Sequence, residues 1–81
     1  MTVEQMKSRI ETLGPGTQAE VKDLTGTQDH WSAVIVSPAF EGKMLIDRQR
    51  MVMDLFKEEL KRNEVHALQL KTLTPAQLDS Q

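Results

Sequence analysis

Two side chains stand out chemically in this sequence, His30 and His66. A neutral imidazole is a good ligand for zinc, copper or iron, and its charge changes near neutral pH. Two imidazoles do not fill a tetrahedral metal site. The chain has no cysteine, so it carries no thiolate ligand, thiol nucleophile or disulfide framework of its own. Any metal held here must lean on histidine, carboxylate or sulfur supplied by another molecule. In a two-iron cluster histidines replace thiolates on an iron in the Rieske arrangement, which makes the cluster less negative and raises its potential. The plain alternative is structural. A protonated His66 close to a helix C-terminus gains about 0.3–1 kcal/mol from the helix dipole, and His30 is then an ordinary polar loop residue.

A second constellation is basic. The stretch from Phe40 to Arg50 brings Lys43, Arg48 and Arg50 close to a glycine turn at Gly42, at the N-terminus of an expected helix. Such a place binds phosphate or a partner's carboxylate. The alternative is that Arg48 and Arg50 are solvated or pair with Asp47 and Asp54. With Lys71 these residues make the set that a DNA-binding role would use. Net charge −2 and a sequence pI near 5.6 argue against a broadly basic surface driven by phosphate neutralisation. Trp31, Phe40 and Phe56 are too few and too scattered for a base-stacking platform and read as packing residues. Met44, Met51 and Met53 suit either an adaptable binding face or a core. No Ser-His-Asp set with a nucleophile turn, no phosphate loop and no HExxH occurs, so no enzyme is expected.

The elements that must position these residues can be read in order. Thr2 and Gln5 fit a capping box, Val3, Met6, Ile10 and Leu13 recur at helical steps, and Gly14-Pro15-Gly16 stops the helix. Ala19 and Val21 alternate with polar neighbours from Thr17 to Leu24. Residues 25–30 supply turn chemistry, and Trp31 to Ser37 is the best strand, its β-branched core predicting burial on both faces and a central place. A long helix is expected from about Leu45 to Arg62, with Leu45, Val52, Leu55, Phe56 and Leu60 on one side and a solvated charged face opposite. Ala67 to Thr72 alternates as a third strand, and Thr74-Pro75-Ala76-Gln77 opens a short last helix.

A right-handed helical crossover lays the third strand parallel to the second. Both strands then begin at the same end of the sheet, which brings His30 and His66 to one rim. The expected fold is α+β, in the order α-β-β-α-β-α, with helices on one face of a mixed three-stranded sheet. An 81-residue chain has room for one domain and a modest core, here with a short polar tail from about residue 79. No apolar run approaches the roughly 20 residues a membrane helix needs, and the N-terminus lacks a secretory pattern, so a cytoplasmic location is expected.

Taken together, several stretches resemble the BolA family over nearly the whole chain, from about Val21 to Leu78. They are Val34-Ile-Val-Ser-Pro-Ala-Phe-Glu-Gly-Lys43, Arg48-Gln-Arg-Met-Val52, Glu58-Glu-Leu60, Val65-His-Ala-Leu68 and Lys71-Thr-Leu-Thr-Pro75. The fit of Ser37 to Leu45 and of Lys71 to Pro75 looks most like the BolA2-type branch. The resemblance implies a class II KH-like fold and a complex with CGFS-type monothiol glutaredoxins. It implies that His66, in the Val-His-Ala motif, and His30, in the hairpin loop, help hold a shared [2Fe-2S] cluster completed by the glutaredoxin cysteine and glutathione. Many BolA2-like members carry cysteine where this chain has His30. The implied role lies in iron–sulfur cluster assembly or trafficking, or in iron-dependent regulation, with a monomer or weak homodimer as the free form. Some family members are described as DNA-binding transcription regulators. A nucleic-acid-binding KH domain normally uses a GxxG loop, of which only Gly42 is present here.

Overall fold

The computed structural model describes residues 1–80; Gln81, the end of the expected polar tail, lies outside them. Helix α1 (Val3–Glu11) begins with the capping box, in which the Thr2 hydroxyl accepts from the Gln5 N–H and the Gln5 side chain accepts from the Thr2 N–H. Strands β1 (Gln18–Asp23) and β2 (His30–Val36) form an antiparallel hairpin. A 3-10 turn at Pro38–Phe40 leads through Gly42 to helix α2 (Leu45–Leu55). Gly42 adopts φ 73°, a conformation that glycine reaches without steric cost. A short helix α3 (Lys57–Lys61), strand β3 (Ala67–Leu73) and helix α4 (Pro75–Asp79) complete the order.

The sheet order is β1-β2-β3, with β3 parallel to β2 and His30 in register with Ala67. The crossover through α2 and α3 therefore produces the mixed sheet expected from handedness. One face of the sheet carries the core. Met6 and Ile10 of α1 and Val52 and Phe56 of the crossover pack with Val21, Trp31, Ala33, Ile35, Phe40 and Val65. On the same face Leu68 and Leu70 of β3 lie beside Trp31 and Ala33, as the alternation predicts. No helix among the described residues is long and apolar enough to cross a membrane.

Several expectations need correction. Strand β2 is not buried on both faces: Trp31, Ala33 and Ile35 are sealed, whereas Ser32, Val34 and Val36 stay half-buried because the helices cover one side only. The helix expected over Leu45 to Arg62 breaks at Phe56, whose backbone leaves the helical region at φ −113° and ψ 19°. No glycine or proline is responsible. The side chain of Phe56 is fully buried, and Arg9 of α1 donates through Nη1 to the carbonyl of Leu55 at 2.9 Å. That carbonyl is among the last of α2, which lack partners within the helix. Leu45 is exposed rather than core-facing, since it sits in the first turn of α2 beside exposed Met44 and Ile46. The charged face of Asp54, Lys57, Glu58, Lys61 and Arg62 is exposed as expected, whereas Glu59 beside it is buried against Arg9 at 2.9 Å. Helix α4 reaches Asp79, and Ser80 caps it with its N–H on the Ala76 carbonyl.

Candidate metal-ligand site at the sheet rim

His30 opens β2, and His66 immediately precedes β3. The parallel register therefore sets them side by side, with ring centroids 5.7 Å apart and the planes at 78°. Their side chains are 42% and 49% exposed, so both face the surroundings at a half-open rim.

A third residue joins them. His30 Nδ1 lies 2.9 Å from Asp29 Oδ1, and His66 Nδ1 lies 3.0 Å from Asp29 Oδ2. One carboxylate thus meets both rings, and these three residues can each offer a ligand atom within 4.8 Å of the others. Asp29 also ties the two strands through its backbone. Its carbonyl accepts from the N–H of His66 at 2.7 Å and of Ala67 at 3.2 Å.

The hairpin loop is built to hold Asp29. The Asp23 carboxylate accepts from the backbone N–H groups of Thr25, Gly26 and Gln28, an Asx-type arrangement that folds the loop on itself. Gln28 takes the left-handed conformation at φ 60°. The Thr27 hydroxyl then donates to Asp29 Oδ1, and the Thr25 hydroxyl does so at 3.3 Å. The Thr27 hydrogen bond, followed by that of His30, holds the Asp29 carboxyl well below the usual carboxylate range.

On the other strand His66 is delivered by a helix terminus. Asn63 follows α3 with φ 60°, its N–H donates to the Leu60 carbonyl at 3.3 Å, and the Glu64 N–H donates to the Glu59 carbonyl at 2.9 Å. This pair of bonds is a Schellman motif, which reverses the chain out of α3. Val65 then enters the core, and His66 emerges beside Asp29.

The structure joins His30 and His66 at one rim as expected and engages Arg48 of the basic set in contacts of its own. Arg48 donates to the Lys43 carbonyl at 3.1 Å and to Gln77 Oε1 at 2.8 Å, bracing α2 against α4. Neither Arg48 nor Arg50 forms an ion pair with Asp47 or Asp54 among the described residues. Lys71 lies opposite Val34 on the uncovered sheet face. Trp31, Phe40 and Phe56 are core residues; of the methionines, Met44 and Met53 are exposed and Met51 is half-buried. Asp29 and Asn63 went unnoticed in the sequence. Their signals were a carboxylate next to a histidine, which is how ligand imidazoles are commonly oriented, and an asparagine directly after a basic helix end.

The order of elements and the mixed sheet coincide with a known family. Residues 7–77 match the family described as BolA-like protein. The chain belongs to the BolA-like family. Protein BOLA2 of Arabidopsis thaliana is 37% identical over 79 residues, covering 95% of this chain and 83% of that protein. BolA-like protein 2 of Homo sapiens is 34% identical over 79 residues, covering 95% and 90%. These relatives agree with the BolA2-type features of the sequence. The DNA-binding transcriptional regulator BolA of Escherichia coli is 41% identical over 49 residues, 60% of this chain and 46% of that protein. The chain spans only 14% of SufE-like protein 1 of Arabidopsis thaliana, a relative named for the chloroplast and mitochondrion. Among solved structures, a bol-like protein from Babesia bovis superposes with a TM-score of 0.84 at 31% identity, covering 99% of this chain and 92% of that one.

Proposed function

We propose that this BolA-like protein is a metal-site partner of monothiol glutaredoxins, in which His66 and His30 donate to a [2Fe-2S] cluster shared with the glutaredoxin cysteine and glutathione. The observation that carries the reading is the pair of half-exposed imidazoles held edge to face at 5.7 Å on one rim. The donor set fits such a group. It supplies two nitrogens and, in a chain without cysteine, no sulfur, so it completes a site that another molecule has begun. When bound, the cluster supplies iron and an electron-accepting centre. The residues of this chain bind and orient: Val65 anchors the start of β3 in the core, the hairpin loop fixes His30, and the exposed ring edges face the partner. Such a protein acts as an adaptor in cluster assembly, trafficking or iron-dependent regulation and needs no catalytic group of its own.

The test is to mix the protein with a cluster-loaded monothiol glutaredoxin and record visible absorption and circular dichroism. The spectrum is expected to change, and the change to be lost in the His30→Ala, His66→Ala double variant. An unaltered spectrum in that variant refutes the ligand reading. A second reading, DNA binding through Lys43, Arg48, Arg50 and Lys71, is favoured by the likeness to the Escherichia coli regulator. It predicts saturable binding that weakens with salt. Net charge −2 and the commitment of Arg48 to Gln77 count against it, and absence of binding at low salt would end it.

A further inference from the structure

We propose that Asp29 is the positioning residue of the rim site, a single carboxylate that orients both imidazoles so that their Nε2 atoms are the ones presented to a metal. The inference rests on the ligand reading above and extends it to a residue that is not itself a ligand. Above the carboxylate range an aspartate accepts hydrogen bonds and donates none. His30 Nδ1, hydrogen-bonded to Asp29 Oδ1 at 2.9 Å, must therefore carry the proton; at His66 a bare Nδ1 lone pair 3.0 Å from Oδ2 would be repelled by the carboxylate, which favours the proton there too and leaves Nε2 of each ring with its lone pair free. No hydrogen bond to either Nε2 occurs among the described residues. The carboxylate also sets the rings, since Oδ1 is hydrogen-bonded to His30 and Oδ2 lies 3.0 Å from His66, while the Asp29 carbonyl is tied to the N–H groups of His66 and Ala67. A carboxylate behind a ligand imidazole raises its basicity and sets its tautomer. Here one residue does this for two ligands on two different strands.

The experiment begins with metal-free protein labelled with nitrogen-15 at histidine, at a pH well above the ordinary imidazole pKa of about 6.5. Long-range proton–nitrogen spectra are expected to show both rings as Nδ1–H. Asp29→Ala should release both toward the Nε2–H form that unconstrained imidazole prefers. Asp29→Asn, with one carbonyl oxygen, should keep one ring and release the other, and it serves should the alanine variant fail to fold. Binding to cluster-loaded glutaredoxin should weaken about 10–100-fold in Asp29→Ala. Nε2–H at either ring of the unmodified protein would overturn the proposal, as would released tautomers with unchanged affinity. Lost affinity with unchanged tautomers would overturn it too, making Asp29 a ligand. The two failures are separable: a cluster spectrum indifferent to the histidine substitutions refutes the ligand reading, whereas the metal-free spectra judge Asp29 by themselves.

Discussion

Replacing Arg9 with methionine tests how the crossover is held over the sheet. Arg9 Nη1 donates to the Leu55 carbonyl and to Glu59 Oε1, each at 2.9 Å, and its guanidinium lies 5.6 Å from the centre of the Phe56 ring. Methionine keeps the apolar stem but leaves a buried carboxylate and an unpaired carbonyl. Breaking a fully buried pair costs about 3–5 kcal/mol. Arg9 is 37% exposed and Arg62 remains 3.6 Å from Glu59, so about 2–3 kcal/mol is expected. For a domain of this size that lowers Tm by about 10–20 °C. Glu59→Gln should cost less, because an amide oxygen still accepts from Arg9. The double variant should recover about 1–2 kcal/mol of the summed losses, as neighbours sharing one contact do. Acidity supplies a second readout. The Arg9 hydrogen bond lowers the Glu59 carboxyl below its usual value, so its contribution is complete above the ordinary carboxylate range and is lost as pH falls through that range and below. The advantage of the native protein over Glu59→Gln should therefore shrink on acidification from about pH 6 to about pH 3. Thermal melts followed by circular dichroism across this range give both results. A melt of Arg9→Met within about 2 °C of the native protein, or strictly additive losses, would refute the reasoning.

Asn63→Ala should destabilise by about 1 kcal/mol, because alanine pays more than asparagine for the left-handed conformation that ends α3, while Asn63→Gly should be neutral or better; urea unfolding of the three proteins decides it. Asp23→Ala removes the acceptor of three backbone N–H groups and should speed amide hydrogen exchange at Gly26 and Gln28. Unchanged protection there would mean that Asp23 does not hold the loop.

What could be read in advance was local or governed by handedness. Thr2 with Gln5, and Thr74 with Gln77, cap their helices as their spacing predicts, since a cap is decided within four residues. The meeting of His30 and His66 also followed, because a parallel pairing reached through a helical crossover starts both strands at the same end of the sheet. The break at Phe56 did not. It lies where Arg9, 46 residues earlier, binds the Leu55 carbonyl, and no periodicity carries that contact. Glu59 was hidden in the same way, as one acid among many on a charged helix until α1 arrived to bury it. Asp29 was obscured by ambiguity: in Thr-Gly-Thr-Gln-Asp it reads as a turn former, and only the arrival of β3 with His66 shows that its carboxylate meets both rings.

The parallel pairing of His30 with Ala67 has a temporal consequence. One imidazole is placed by a hairpin that can close early, the other only after the crossover has traversed the sheet, and nonlocal parallel pairing is the slow part of assembling such topologies. A nascent or partly unfolded chain thus presents two unrelated histidines, neither able to compete well for a shared metal. On the proposed ligand reading, competence for loading would arrive only with completion of the sheet.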